Sequence, residues 1–146
     1  MPVWTPETFE ADDGSYPFQH FVEELSDFKA AALDAAVEQV LCALGIDLAK
    51  TEWLKALGDG LFEFRIRHTA EEIVARFGDE SLVDRSGAPE SVLLRVFVHF
   101  YGQKVVLLLG GYDKGRAPRP KRQQAEIKEA RKLLAQFKAR RRRARG

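Results

Sequence analysis

Cysteine is almost missing from this chain of 146 residues: Cys42 stands alone, in a stretch with helical spacing. A disulfide within the chain and a cysteine-rich metal site are therefore excluded, and Cys42 itself reads as a small buried apolar residue. Histidine is scarce too. His20, His68 and His99 are widely separated and form no His-Glu-x-x-His pair, so no metal and no cofactor is expected. There is no GxxxxGK[ST] phosphate loop and no Gly-x-Ser-x-Gly elbow. Long hydrophobic runs are also wanting. A run such as residues 105–109 falls far short of the ~20 a membrane-spanning helix needs, and no basic-then-apolar leader opens the chain. A cytoplasmic protein is the expectation.

What is present is a lopsided charge distribution. The net charge of +1 conceals two opposed halves. Residues 114–145 hold fourteen Lys and Arg against two acids, while residues 1–113 hold nine against twenty. A basic end on an acidic body points to an anionic partner for that end. The apolar content of 45% is enough for a core, and the length suits one domain.

Along the chain, residues 3–10 read as an edge strand closed by Asp12-Asp13-Gly14. Residues 18–44 carry Phe21, Leu25, Phe28, Leu33, Val37, Val40 and Leu44 near a 3.6 period, with a break at Ser26-Asp27 and a stop at Gly45. Residues 46–57 read as one short segment, with Lys55 at a helix end, before Gly58-Asp59-Gly60. Residues 61–68 alternate as a strand, with Phe62, Phe64 and Ile66 on one face and Glu63, Arg65 and Arg67 on the other. An insertion at 69–90 starts with Thr69 as an N-cap and Glu72 three positions on. It continues as a short helix through Phe77 and then a polar loop at 79–89. Ile73, Val74 and Phe77 give that helix an apolar edge too short to stand alone, so it is expected to dock, preferably within the chain.

The richest stretch is 92–122. Two strands flank Tyr101-Gly102-Gln103 as a hairpin. Leu94, Val96, Val98 and Phe100 form a core face, while Arg95, Phe97, His99 and Tyr101 share the other. A cation, an imidazole and a phenol on an aromatic floor suit a charged, ring-bearing ligand such as RNA. Gly110-Gly111 reads as a strand-end turn. Pro118 and Pro120 delay a basic C-terminal helix until about Lys121, with Ile127, Ala130, Leu133, Leu134 and Phe137 as its apolar stripe. Residues 1–138 then form one domain, and 139–146 a basic, disordered tail.

Four strings in order carry a family resemblance: residues 12–21, then Lys55-Ala56-Leu57 with residues 59–65, then Arg95-Val96-Phe97, then residues 107–114. The set resembles the phage-derived HigB-like toxins of the RelE/ParE superfamily. Members often carry His-Gly-Phe where this chain has Gly110-Gly111-Tyr112, and Pro120 matches a family proline. The resemblance implies an α+β fold, with N-terminal helices packed on a curved, mainly antiparallel sheet and a basic C-terminal helix. It also implies an mRNA endoribonuclease, often acting on the ribosome, silenced by a helix-turn-helix antitoxin.

Cleavage without a metal proceeds by attack of the 2′-hydroxyl on the adjacent phosphorus. It needs a proton acceptor, cations for the phosphorane and a proton donor at the leaving oxygen. Arg65 and Arg95, read as surface cations on neighbouring strands, suit the phosphate because the guanidinium fork binds it bidentately. Tyr112 and Lys114 would add a stacking surface and a further cation or proton carrier. His99 is the candidate acid or base, its ordinary pKa lying near ~6.5. Lys55, Arg67, Arg116, Arg119, Lys121 and Arg122 extend the basic surface toward an RNA backbone. Two other readings stay open. One is a non-catalytic module gripping RNA or a partner; the other is a ParE-like poison of DNA gyrase. For Arg65 and Arg95 the plain alternative is ion pairing on the sheet face, Arg95 with Glu63.

Overall fold

The computed structural model describes residues 3–77 and 92–145; the Phe77 side chain and the expected loop at 79–89 lie outside the described residues. The chain forms an α+β fold. N-terminal helices pack on one face of a five-stranded mixed sheet, and a C-terminal helix packs on the other. Strand β1 (Thr5–Thr8) is followed by helices α1 (Pro17–Glu23) and α2 (Asp27–Ala36). A π turn at Val37–Leu41 leads into the one-turn α3 (Cys42–Leu44) and a 3-10 turn at Gly45–Lys50. Strands β2 (Leu54–Gly58) and β3 (Leu61–Ile66), helix α4 (Ala70–Phe77), strands β4 (Leu94–Tyr101) and β5 (Val105–Asp113), and helix α5 (Pro120–Arg145) complete it.

The sheet order is β1-β5-β4-β3-β2. Strands β2 to β5 form an antiparallel meander, and β1 joins its edge parallel to β5 with Thr5 opposite Val105. The local signals explain most boundaries. Ser26 Oγ caps α2 by accepting from the Lys29 amide at 3.2 Å, which separates α2 from α1 at the expected break. Thr69 and Glu72 exchange backbone and side-chain hydrogen bonds as a capping box. Ile73 is buried against α2, so the insertion helix docks within the chain.

Three boundaries differ from expectation. Residues 46–57 are a 3-10 turn plus β2, because the turn at Gly58-Asp59-Gly60, all at positive φ, folds β2 back on β3. Gly110-Gly111 lies inside β5, just past a bulge opposite Phe97/Val98, and does not end the strand. The tail does not fray: α5 runs to Arg145. Arg140 donates to Asp12 Oδ1 from Nε at 3.1 Å and Nη2 at 2.7 Å, and lies 4.8 Å over the Phe9 ring. Arg141 lies 4.7 Å over Tyr101. Cations in a last turn also complement the helix dipole.

The larger departure concerns the sheet itself. Both of its faces are covered. Leu94, Val96 and Val98 meet α2 and its continuation, as expected for the core face. Phe97, Leu107, Leu109 and Tyr112 pack under Ala130, Leu133, Leu134 and Phe137 of α5. The face expected to lie open for a ligand is therefore a second core along most of its length. Among the described residues no helix is long and apolar enough to cross a membrane.

Candidate functional site

Pairing register places Arg65, Arg95 and Tyr112 in one row across β3, β4 and β5. Two positions along, on the same face, the row runs through Lys55 and Glu63 on β2 and β3. Two arginines directly opposite each other would repel, and the intervening carboxylate resolves this. Glu63, with 0% of its surface exposed, takes Arg65 Nε at 3.0 Å on Oε1. Arg95 Nε stands 3.7 Å from the same oxygen, an ion-pair distance without a hydrogen bond. Gln123 of α5 donates to Oε2 at 3.2 Å. A buried carboxylate thus ties three elements together, and removing any partner would leave charge exposed to a low-dielectric interior.

Arg95 is 2% exposed and donates from Nη1 to the Leu94 carbonyl at 3.2 Å. It is not the surface cation expected of it. Burial works against its charge and Glu63 favours it, with a net downward pull on its pKa. Tyr112, also 2% exposed, stacks on Phe97 with ring centroids 6.2 Å apart, so its ring is no open platform for a base. Burial first, then Glu63, pushes its phenol up, which keeps it neutral. Its hydroxyl has no hydrogen-bond partner among the described residues. Arg65 is 21% exposed through its side chain and so reaches the surface.

Lys114 is half-buried where β5 leaves the sheet. Burial first, and then Arg95, with Arg65 and Arg67 adding to it, lowers its pKa, while Glu63 opposes the shift. Its turn is clamped. Asp113 Oδ2 accepts from Lys29 Nζ at 2.7 Å, and Asp113 Oδ1 accepts from the Gly115 and Arg116 amides at 3.0 and 3.3 Å. Arg65 and Arg95 therefore share one carboxylate, Lys114 stands within electrostatic reach of all three, and the surplus is positive.

The remaining candidates divide. Arg122 stands 5.9 Å over the Tyr112 ring and pairs with Glu126 at 2.9 Å, at the edge of this cluster. Arg116, Arg119 and Lys121 are exposed on the approach to α5. Lys55 is exposed on β2, a strand position and not a helix end. Arg67 is exposed and pairs with Glu52 at 3.7 Å. His99 does not join the site. It lies four residues farther along β4 than Arg95, between Tyr101 and Phe137, with Nδ1 2.7 Å from the Gly60 carbonyl. Only a protonated Nδ1 can donate there, so Nε2 carries the lone pair. Burial, the largest influence, lowers its pKa; the Gly60 carbonyl opposes this, while Lys138 and Arg141 reinforce it. Gly60 at φ +85° leaves no room for a Cβ, which would stand 2.9 Å from the His99 ring.

The role of Glu63 went unseen in the sequence except as a pairing partner. Its signal was its place among Leu61, Arg65 and Arg67 on one strand face, but only the covering by α5 makes it a buried hub. Gln123 carried no signal. Among the described residues no group of three or more His, Cys, Asp or Glu side chains is placed to hold a metal ion. No protein-family model, no curated protein and no solved structure matches the chain.

Proposed function

We propose that this chain is a RelE/HigB-like toxin, an mRNA endoribonuclease that blocks translation and is held silent by a helix-turn-helix antitoxin. One observation carries the reading: the surplus of positive charge made by Arg65, Arg95 and Lys114 around the buried Glu63, at the rim where β5 gives way to α5. The order of helices, antiparallel meander and basic C-terminal helix supports it as well.

In this reading Arg65 and Lys114, which reach the surface, bind the scissile phosphate and neutralise the phosphorane. Arg95 stands behind them as a fixed charge in a medium of low dielectric, where it acts more strongly than it would in water. Lys114, made more acidic by burial and by its cationic neighbours, gives a proton to the leaving 5′-oxygen, while the 2′-hydroxyl proton passes to solvent water. His99 is too far along β4 to share that phosphate. Arg67, Arg116, Arg119, Lys121 and Arg122 extend the track for the RNA backbone.

A second reading has its own support. Arg95 and Tyr112 are almost wholly buried, and a site whose charged centre is sealed also suits gripping RNA without cutting it. Induction followed by mapping of RNA 5′ ends separates the two. New 5′-hydroxyl ends are expected with the unaltered chain, reduced by about 10²-fold or more in Lys114→Ala. Growth arrest without new ends would leave the non-cleaving reading standing. Growth arrest and cleavage both untouched in Lys114→Ala and Arg65→Ala would remove these residues from the site.

A further inference from the structure

Lys29, in the first turn of α2, donates from Nζ to Asp113 Oδ2 at 2.7 Å, across 84 positions of sequence. The two side chains are 14% and 10% exposed, so both have lost most of their contact with water. A pair this deep adds little net stability over an apolar contact of the same shape, because desolvation offsets most of the attraction. Its use lies in what it fixes.

Asp113 is the last residue of β5 and stands opposite Leu94. Leu94 belongs to the core face that meets α2, and Asp113 points to that side as well. Alternation then sends Lys114 to the other side, where Arg95, Glu63 and Arg65 act on it. With Oδ2 held by Lys29, Asp113 Oδ1 is aimed at the amides of Gly115 and Arg116, at 3.0 and 3.3 Å. The Asp113 carbonyl accepts from the Arg116 and Ala117 amides at 3.2 and 3.1 Å, and the Gly115 amide also reaches the Leu93 carbonyl at 3.2 Å. A Cβ on Gly115 would stand only 3.2 Å from Asp113 Oδ1, so the bare residue keeps the place of the carboxylate open. Lys114 therefore sits between Asp113 and three amides that turn back toward it.

The other end of the pair is equally fixed. The Lys29 amide donates to Ser26 Oγ at 3.2 Å, and α2 is seated in the core through Ala32, Leu33 and Ala36. A continuous set of contacts thus leads from the cap of α2, through the lysine and the carboxylate, to the turn that carries Lys114. A proton donor must stand within hydrogen-bond reach of the oxygen it serves, and a misplacement of about 1 Å can cost on the order of 10²-fold in rate.

We propose that Lys29 is a positioning residue: it orients the Asp113 carboxylate, which shapes the turn that holds the Lys114 ammonium beside Arg65 and Arg95 on the opposite side of the sheet. This rests on the endoribonuclease reading for the reaction that Lys114 serves. Lys29 itself touches no substrate.

The test follows the Nζ resonance of Lys114 in the whole chain through a pH titration, together with single-turnover cleavage of a single-stranded RNA. Burial and neighbouring cations hold the Lys114 pKa down, and a released turn lets it rise toward the ordinary lysine value. It should rise in Lys29→Met, which keeps the stem and removes the cation. It should rise equally in Asp113→Asn, which keeps an oxygen for the two amides and serves if the methionine variant does not fold. Charge alone predicts opposite signs, since loss of a lysine raises the value and loss of an aspartate lowers it. Cleavage should slow by about 10-fold or more with RNA affinity within about twofold, and Lys29→Arg should restore it. Opposite shifts in the two variants, or a Lys114 resonance that does not move, would overturn the proposal. An unaltered chain that makes no cuts would sink the endoribonuclease reading while the resonance still decides the clamp, and cuts with Lys114 unmoved in both variants would do the reverse.

Discussion

Glu63 shows how much one side chain can hold in place. It is fully buried, yet it joins β3, β4 and α5 through Arg65, Arg95 and Gln123. Removing one member of a buried pair costs about 3–5 kcal/mol because the other charge is left without compensation. Arg95→Met should therefore be destabilised by about that much in urea. The double variant Glu63→Met/Arg95→Met should cost clearly less than the sum of the two single changes. Additive effects would mean that the pair is not coupled. A loss of toxicity in Arg95→Ala alone is thus uninformative about chemistry, whereas Lys114→Ala, at the surface, is diagnostic.

His99 gives a second prediction at this scale. Its pKa is lowered on folding, so between that value and the ordinary 6.5 the unfolded chain binds the extra proton. Its contribution is intact above about 6.5 and is lost as pH falls through the lowered folded value. Lys138 and Arg141 face the ring from α5, and Tyr101 and Phe137 flank it. Melting temperature should therefore fall from pH 7 to pH 5 more steeply in the unaltered chain than in His99→Gln. Parallel slopes would show that the imidazole takes its proton without penalty.

Among the elements, those with local signals were legible in the sequence. Ser26 breaks the long helical pattern, Thr69 and Glu72 open α4, alternation identifies β3 and β4, and a continuous apolar run identifies β5. What was not legible is which surface α5 covers. Its stripe of Ala130, Leu133, Leu134 and Phe137 says only that one side is buried, and the alternation of β4 says only that an apolar face backs a mixed one. Phe97 between Arg95 and His99 reads in the sequence as a stacking floor, and the long-range packing makes it core. The same packing turned Arg95 and Tyr112 from surface candidates into buried ones, and left Arg65 and Lys114 outside.

Two predictions belong to these elements. Ile73 is the buried anchor of α4, so Ile73→Ala should cost about 2–4 kcal/mol by lost burial and cavity, read as a shift in the urea midpoint. No shift would mean that the insertion helix adds nothing to the core. Truncation after Phe137 removes six cations, including Arg140 and Arg141 with their contacts to Asp12, Phe9 and Tyr101. These contacts lie at the surface, so the loss of stability should be small. The salt dependence of RNA binding should become shallower, since fewer counterions are released. An unchanged slope would show the arginine run to be a spectator.

For the whole molecule, the division of charge follows the division of layers. The acidic part contains the sheet and the helices on its first face, and the basic α5 closes the second. Asp12 accepts from Arg140, and carbonyls of the β2–β3 turn accept from Arg131 and Lys138, so the two parts are joined by polar as well as apolar contact.

The parallel pairing of β1 with β5 has a consequence for how this molecule is made. Thr5 meets Val105, so the first strand of the sheet must wait about a hundred residues for its partner. Closing so long a loop is entropically unfavourable and slows folding. A chain emerging from the ribosome has its β2–β3 hairpin early, but neither the strand that β1 needs nor the helix that seals Phe97 until residues 105–137 follow. Until then it is an acidic polymer with its second apolar face bare and without its cationic cluster, since Arg65 and Arg95 cannot be joined by Lys114. The cationic cluster is therefore complete only once residues 105–137 have followed the hairpin and closed the sheet.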